Sequence, residues 1–247
     1  MKDIPDKSID LIVTDCPYHI VSGGCTTGIY GNKETGGILR KKVIGKTKQG
    51  YVLEGTKHIT LFGILNDNDS TTYTKQGKLF KHNDIKFSEW LPEVYRVLKD
   101  DSHAYIYINA RNMKDLQTEA EKVGFQYQQL IVWDKGNATP NKYYLNAYEL
   151  ILMLRKGKAK NINDMGCKNL LSIKNILGGK KTHPTEKPVE LNKILIANSS
   201  KENETVLDPF MGSGSCGVAA KALNRNFIGI EINKKYFDIA QERINNT

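Results

Sequence analysis

The sequence predicts an α/β fold: a mainly parallel sheet flanked by helices, with one antiparallel strand pair. Two observations carry this. From residue 87 to the end, short apolar runs alternate with segments of helical period. Within that series two strong strand-like runs, 127–136 and 147–157, are separated only by NATPNKYYLN, a spacing that suits an antiparallel return.

SIDLIVTD (8–15) is a continuous, β-branched apolar run, the pattern of a strand covered on both faces. Residues 20–83 break the pattern. Their glycine-rich SGGCTTGIYGNKETGG and basic LRKKVIGKTKQG read as a mobile loop, with HITLFGIL (58–65) a short strand or helical turn inside it. FSEWLPEVYRVLKDD (87–101) places Leu91, Val94, Tyr95 and Leu98 on one helical face, with Ser88 as expected N-cap.

SHAYIYIN (102–109) is a strand. NMKDLQTEAEKVGF (112–125) is a helix with Gly124 at the C′ position. After the strand pair comes a basic, weakly patterned segment at 156–181, then a helix following Pro188. TVLDPF (205–210), GSGSCGVAAKALN (212–224), NFIGIEI (226–232) and NKKYFDIAQERIN (233–245) complete a strand, helix, strand, helix series. Trp90 and Trp133 fall in regular elements and are assigned to the core.

The chain has 247 residues, 39% of them hydrophobic, which suits one domain spanning 1–247. It holds no apolar run of membrane-spanning length, and its start, MKDIPDKSID, is polar, so the expected location is the cytoplasm. A net charge of +9 favours an anionic partner, nucleic acid first, against the alternative of a merely solvated lysine surface. Cys16, Cys25, Cys167 and Cys216 form no C-x-x-C pair; free thiols are expected, and no metal site.

VLDPFMGSGS joins a strand to a helix through a glycine-rich turn. Gly212 and Gly214 permit unusual backbone angles and close ligand approach, and a helix N-terminus favours an anionic group. The turn lacks the Lys-Ser/Thr of a phosphate loop and the dinucleotide spacing. Alone it is a tight turn. The next strand ends near Glu231, and an acid at that tip accepts hydrogen bonds from ribose hydroxyls in β-α-β nucleotide sites. Turn and acid together favour an adenosine-type cofactor.

DCPY, HPTEKP, DPFMGSGS and GIEI, in that order, resemble the amino-group DNA methyltransferases of the circularly permuted β class, in which a D-P-P-Y-type motif precedes F-x-G-x-G. The resemblance covers residues 8–20 and from about 87 to the end. It implies a Rossmann-like methyltransferase fold, S-adenosylmethionine as methyl donor, and the exocyclic amine of adenine (N6) in double-stranded DNA as target. Cytosine N4 is the alternative, as is a catalytically impaired DNA- or cofactor-binding module; protein-amide methylation would favour Asn at position 15. The expected assembly is a monomer or homodimer with no membrane partner.

An exocyclic amine is a poor nucleophile because its lone pair is delocalised into the ring. By the resemblance, Asp15 and the backbone carbonyl of Cys16, held extended by Pro17, accept from its two hydrogens and free that lone pair. Fixed acceptors aimed at charge that develops in the transition state are an effective catalytic device. The nitrogen then displaces the methyl group in line, and Tyr18 stacks on the flipped-out base. Cys16 departs from D-P-P-Y, but its role is that of a carbonyl, and losing one proline ring costs about 0.4–1 kcal/mol of preorganisation. Cytosine-C5 enzymes use Pro-Cys; the order here is reversed, which argues against a covalent thiol.

The resemblance also puts Thr185 and Lys187 near the methionine end of the cofactor, His183 and Glu186 in the turn that holds them, and Asp208, Phe210, Gly212, Ser213, Gly214 and Glu231 around the cofactor. Cys216 is assigned a structural place. Family members carry a further N-terminal strand beside the one holding Glu231; the sequence starts without it, and an unpaired edge at FIGIEI is expected. Target recognition is assigned to 20–83 and 156–182, with Arg40, Lys41, Lys42, Lys46 and Lys48 as phosphate contacts.

Overall fold

The apolar run near the start forms β1, Ile9–Asp15, and Leu11, Ile12 and Val13 are fully sealed from solvent. The computed structural model describes residues 1–17, 43–47, 50–53, 59–60, 85–139, 143–176 and 185–247. After β1 come β2 (Val43–Thr47), β3 (Gly50–Leu53), β4 (Ile59–Thr60), α1 (Phe87–Val97), β5 (Leu98–Ile108), α2 (Met113–Lys122), β6 (Gln126–Thr139) and β7 (Asn146–Lys156). β8 (Leu170–Ser172), α3 (Val189–Ser199), β9 (Thr205–Asp208), α4 (Ser215–Ala222), β10 (Asn226–Gly229) and α5 (Lys234–Asn245) follow.

The chain divides into two units, where the sequence reading takes one domain. The first is Met1–Tyr18, Asp84–Asn137 and Tyr148–Thr247; the second is His19–Asn83 and Ala138–Ala147. In the second unit β2, β3 and β4 form an antiparallel three-stranded sheet, with Val43 opposite Leu53 and Tyr51 opposite Ile59. The loop reading is corrected at β2 and β3, whereas β4 falls in HITLFGIL, where a short strand is one of the two readings. The glycines and lysines of 20–83 masked short β-branched and aromatic runs that pair with one another.

The first unit is built on a seven-stranded sheet of order β10-β9-β1-β5-β7-β6-β8. β1 is parallel to β5 and β9, β9 to β10, and β6 to β8; β7 runs antiparallel to β5. Side chains alternate between the faces with period two, interrupted in β1 by a register shift between Ile9 and Leu11. On one face Ile9, Ile12, Ala104, Ile106, Leu152 and Leu207 pack with Trp90, Leu91 and Val94 of α1 and Leu116 and Ala120 of α2. On the other, Leu11, Val13, Tyr105, Ile151 and Val206 meet Leu191, Leu195 and Ile196 of α3 and Ala219 and Ala220 of α4. Both faces are covered, which explains why β1 and β9 read as unbroken apolar runs.

Local expectations hold with some corrections. Gly124 stands at φ +108, two residues past the end of α2, as a C′ residue should. Trp90 and Trp133 are buried. Ser88 is not the N-cap: Lys86 takes that place with extended backbone, and Ser88 lies within the first turn of α1. β5 starts at Leu98, directly off the helix, rather than at 102. The segment at 156–181 contributes β8, a short strand that the sequence pattern did not reveal. Among the described residues β10 pairs only with β9 and forms one edge of the sheet. No helix among them is long and apolar enough to cross a membrane.

Candidate functional site

In parallel strands the C-terminal tips share one end of the sheet. β1 and β9 are in register at Leu11–Val206 and Ile12–Leu207, so Asp15 and Asp208 emerge together. A hydrogen bond fastens the two tips: the Thr14 hydroxyl donates to Asp208 Oδ1 at 2.7 Å. The acid and the glycine turn, far apart in the chain, thus meet at one end of the first unit.

Asp15 is paired. Lys187 Nζ lies 2.7 Å from its Oδ2 and 3.2 Å from a carboxylate oxygen of Glu149. Its remaining donor reaches the Thr185 carbonyl at 3.4 Å. An ammonium has three donors, and here three are directed at protein acceptors. The resemblance assigns Lys187 to the cofactor; in the structure its head turns to the acid. Tyr107, opposite Asp15 on β5, lies beneath, with Lys187 Nζ 5.4 Å from its ring centre and its hydroxyl donating to Asn192 Oδ1. Thr14, Tyr107 and Glu149 were not foreseen from the sequence.

Cys16 is 2% exposed, and its thiol points toward the Tyr107 carbonyl, 3.9 Å away. Burial, reinforced by the Asp15 charge, pushes this thiol well above its ordinary value. A protonated thiol turned into the sheet is no nucleophile, so a covalent mechanism through Cys16 has no support here. Cys216 is likewise buried, its thiol 3.5 Å from the Val13 carbonyl, in keeping with a structural place.

The glycine turn begins at Asp208. Its Oδ1 accepts from Thr14 and from the Phe210 amide at 3.1 Å, and Phe210 is braced edge-on by Trp90 with ring centres 5.2 Å apart. Gly212 and Gly214 have φ of +51 and +79, angles that strain any L side chain. Glu231 lies just past β10 and reaches back: Oε2 accepts from the Gly212 amide at 3.0 Å, and Oε1 from the Asn233 amide. The carboxylate therefore faces the turn and also steadies the approach to α5.

One arginine that sequence reading missed ties two parts of the site together. Arg243 of α5 donates to the Ser213 carbonyl at 2.7 Å and the Ser213 hydroxyl at 3.0 Å, and its guanidinium pairs with Glu186 at 2.8 Å. The Glu186 side chain is 4% exposed. Arg243→Ala is expected to cost at least about 1.5–3 kcal/mol, the worth of a hydrogen bond to a charged group, and to weaken cofactor binding. Denaturant unfolding and calorimetry on one preparation check both.

Burial pushes Asp208 up to about 7, against the pull of the Thr14 hydroxyl and the Phe210 amide. Its folded value lies above its unfolded one, so the stability it contributes is full below about pH 4 and lost as pH rises through about 7. The loss is on the order of 4 kcal/mol. Asp208→Asn keeps the acceptor and carries no charge. It is expected to gain on the parent by about that amount across the same window, read by denaturant unfolding at each pH.

Thr185 and Lys187 are thus brought to Asp15, while Phe210, Gly212, Ser213, Gly214 and Glu231 gather around the turn. Tyr18, His183, Arg40, Lys41, Lys42 and Lys48 lie outside the described residues. Lys46 falls in β2, where its backbone stands opposite Tyr51.

A family model for DNA methylases of the N6/N4 class matches residues 9–242. The chain belongs to the N6/N4 DNA methylase family. This family member is 30% identical, over 99% of its length, to the Type II methyltransferase M.HinfI of Haemophilus influenzae, and spans 65% of that relative. It is 33% identical to the Type II methyltransferase M2.LlaDCHI of Lactococcus lactis subsp. cremoris, covering 99% of this chain and 85% of the relative. A solved structure, the M1.HpyAVI–SAM complex, is 34% identical with a TM-score of 0.58 and covers 64% of this chain and 81% of the other.

The methylase fold expected from sequence is present, and β7, one of the two strands expected to pair antiparallel with each other, runs antiparallel to β5. The residues at the turn also fit an adenosylated sulfonium. Glu231 offers a carboxylate to ribose hydroxyls, Gly212 and Gly214 leave the backbone bare, and Phe210 supplies an aromatic wall.

Proposed function

We propose that the chain transfers a methyl group from S-adenosylmethionine to the exocyclic N6 amine of adenine in double-stranded DNA. The observation that carries this reading is the shared end of β1 and β9, fastened by Thr14 and Asp208, which sets Asp15-Cys16-Pro17 beside the glycine turn. Family membership and the +9 charge support it. Asp at position 15 favours adenine by resemblance; N4 of cytosine is the second reading, since it presents the same amine beside a ring acceptor. A DNA substrate puts this work in the cytoplasm of a bacterial or phage-infected cell.

S-adenosylmethionine, when bound, supplies a methyl group on a positively charged sulfur. Gly212 to Gly214, Glu231, Asp208 and Phe210 would hold it, with Thr185 closing the same pocket. Asp15 accepts one hydrogen of the target amine and the Cys16 carbonyl the other, so the nitrogen lone pair is released from the ring. Lys187, with its ammonium 2.7 Å from Asp15, keeps the carboxylate ionised and therefore acceptor-only as a base closes over it. Tyr18 would stack on the flipped base. Lys46 and its basic neighbours Arg40, Lys41, Lys42 and Lys48 would neutralise phosphates and give binding its salt dependence.

The test is transfer of labelled methyl from the cofactor to unmethylated DNA, followed by digestion to nucleosides. N6-methyladenine is the expected product. N4-methylcytosine would select the second reading, and no labelled nucleoside would overturn both.

A further inference from the structure

Four charged side chains form one line across the end of the sheet. Asp15 at the tip of β1 meets Lys187 at 2.7 Å, Lys187 meets Glu149 at 3.2 Å, and Glu149 meets Lys135 of β6 at 3.6 Å. Because β7 runs against β5, its first residues lie where β1 and β5 finish. The reversed strand thereby delivers Glu149, one residue ahead of the Leu150–Ile108 pair, to the catalytic end. The signs alternate and the four formal charges sum to zero.

These groups are poorly hydrated. The side chains of Lys135 and Lys187 are 9% and 10% exposed, those of Asp15 and Glu149 19% and 28%. An ammonium so buried is costly without a partner, and among the described residues Glu149 is the carboxylate paired with Lys135. Burial alone would push Glu149 up, but Lys187 and Lys135 together hold it below the usual carboxylate range. Glu149 is therefore a charged divider between two cations, and Lys187 in turn is divided between two carboxylates.

We propose that Glu149 and Lys135 are positioning residues for the methyl-transfer step: they fix how far Lys187 closes on Asp15 and so how much of the Asp15 carboxylate is left to accept the target amine. The proposal rests on the methyltransferase reading. If Lys135 loses its charge, Glu149 has one cation left and draws Lys187 from Asp15. If Glu149 loses its charge, Lys187 closes on Asp15 alone and Lys135 is stranded. If both are neutralised, an Asp15–Lys187 pair of zero net charge remains. Among the described residues the other titratable groups around Asp15 are Tyr107 on β5, the Cys16 thiol and Asp208 on β9. Burial holds the phenol and the thiol neutral, and Asp208, raised chiefly by burial and further by the Asp15 charge, is the same in every variant below.

The experiment uses the full chain as Lys135→Met, Glu149→Gln, the double variant and Lys135→Arg. Measurements are kcat with unmethylated DNA, cofactor affinity by calorimetry, and a residue-resolved carbon-13 titration of the Asp15 carboxyl. Each neutralising single variant is expected to lower kcat on the order of 10- to 100-fold, the cost of a small misplacement at the reacting groups, with cofactor affinity unchanged. The double variant and Lys135→Arg recover most of the loss. Lys135→Met moves the Asp15 titration and the acidic limb of kcat to higher pH; Glu149→Gln moves both lower.

Additive losses in the double variant, shifts of the same sign, or unchanged kcat and titration in an active chain would overturn the proposal. A chain that transfers no methyl yet shows the opposed Asp15 shifts would overturn the methyltransferase reading and leave the charge coupling standing. No transfer and no shift would overturn both.

Discussion

Asp15→Ala is expected to lower methyl transfer by roughly 10²–10³-fold, the loss seen when one preorganised polar group aimed at a transition state is removed. The acid stands at the tip of β1, and its replacement leaves only the Cys16 carbonyl to accept from the target amine. Cofactor affinity is expected to be unchanged, because the glycine turn is held by Glu231, Arg243 and Thr14 and not by Asp15. Lys187 would keep Glu149 as a partner, so the stability cost is about 1–3 kcal/mol, that of one unsatisfied buried group. Single-turnover transfer of labelled methyl, with calorimetry of the cofactor alongside, separates chemistry from binding. Full transfer by Asp15→Ala would end the case for this residue.

Gly214→Val is expected to abolish cofactor binding. At φ +79 a β-branched residue is strained by about 1–3 kcal/mol. Its Cβ would also meet Ala240 of α5, 2.8 Å from that Cβ and 3.0 Å from the Cα. Neither atom belongs to a flexible chain end, so α5 or the turn must move, at about another 1–3 kcal/mol. Either movement displaces the Ser213 carbonyl from Arg243 and the Gly212 amide from Glu231. Retained DNA binding with no measurable cofactor heat is the expected pattern; unchanged affinity would place the pocket elsewhere.

The parts legible in the sequence are those with a local cause. Strand and helix periods, the Gly124 cap and the glycine turn depend on near neighbours, and the structure keeps them with shifted ends. The motif strings located Asp15, Asp208 and Glu231 because each sits at a strand tip that its own apolar run announces. What stayed hidden is long-range. Thr14 matters through Asp208, Arg243 through Ser213 and Glu186, Glu149 through Lys187, and none of these pairs leaves a periodic trace. Glu149 in NAYELIL reads as the polar face of a strand, and Arg243 as one more charge on a surface helix. Ser88 misled because a capping residue type inside the first turn, two residues past the actual cap Lys86, is indistinguishable by sequence from the cap itself.

Thr14 and Asp208 hold hands across 194 residues of chain, and that separation has a consequence for synthesis. β1 is translated well before β9, its neighbour on one side, with β5, β7, β6 and β8 made in between. Until β9 leaves the ribosome, β1, an interior strand of the sheet, keeps a bare, apolar flank, the condition under which nascent chains stick to one another. Closing such a distant pairing is slow. Holding chaperones would accordingly matter more for the yield of this protein than for one whose central strands are made consecutively.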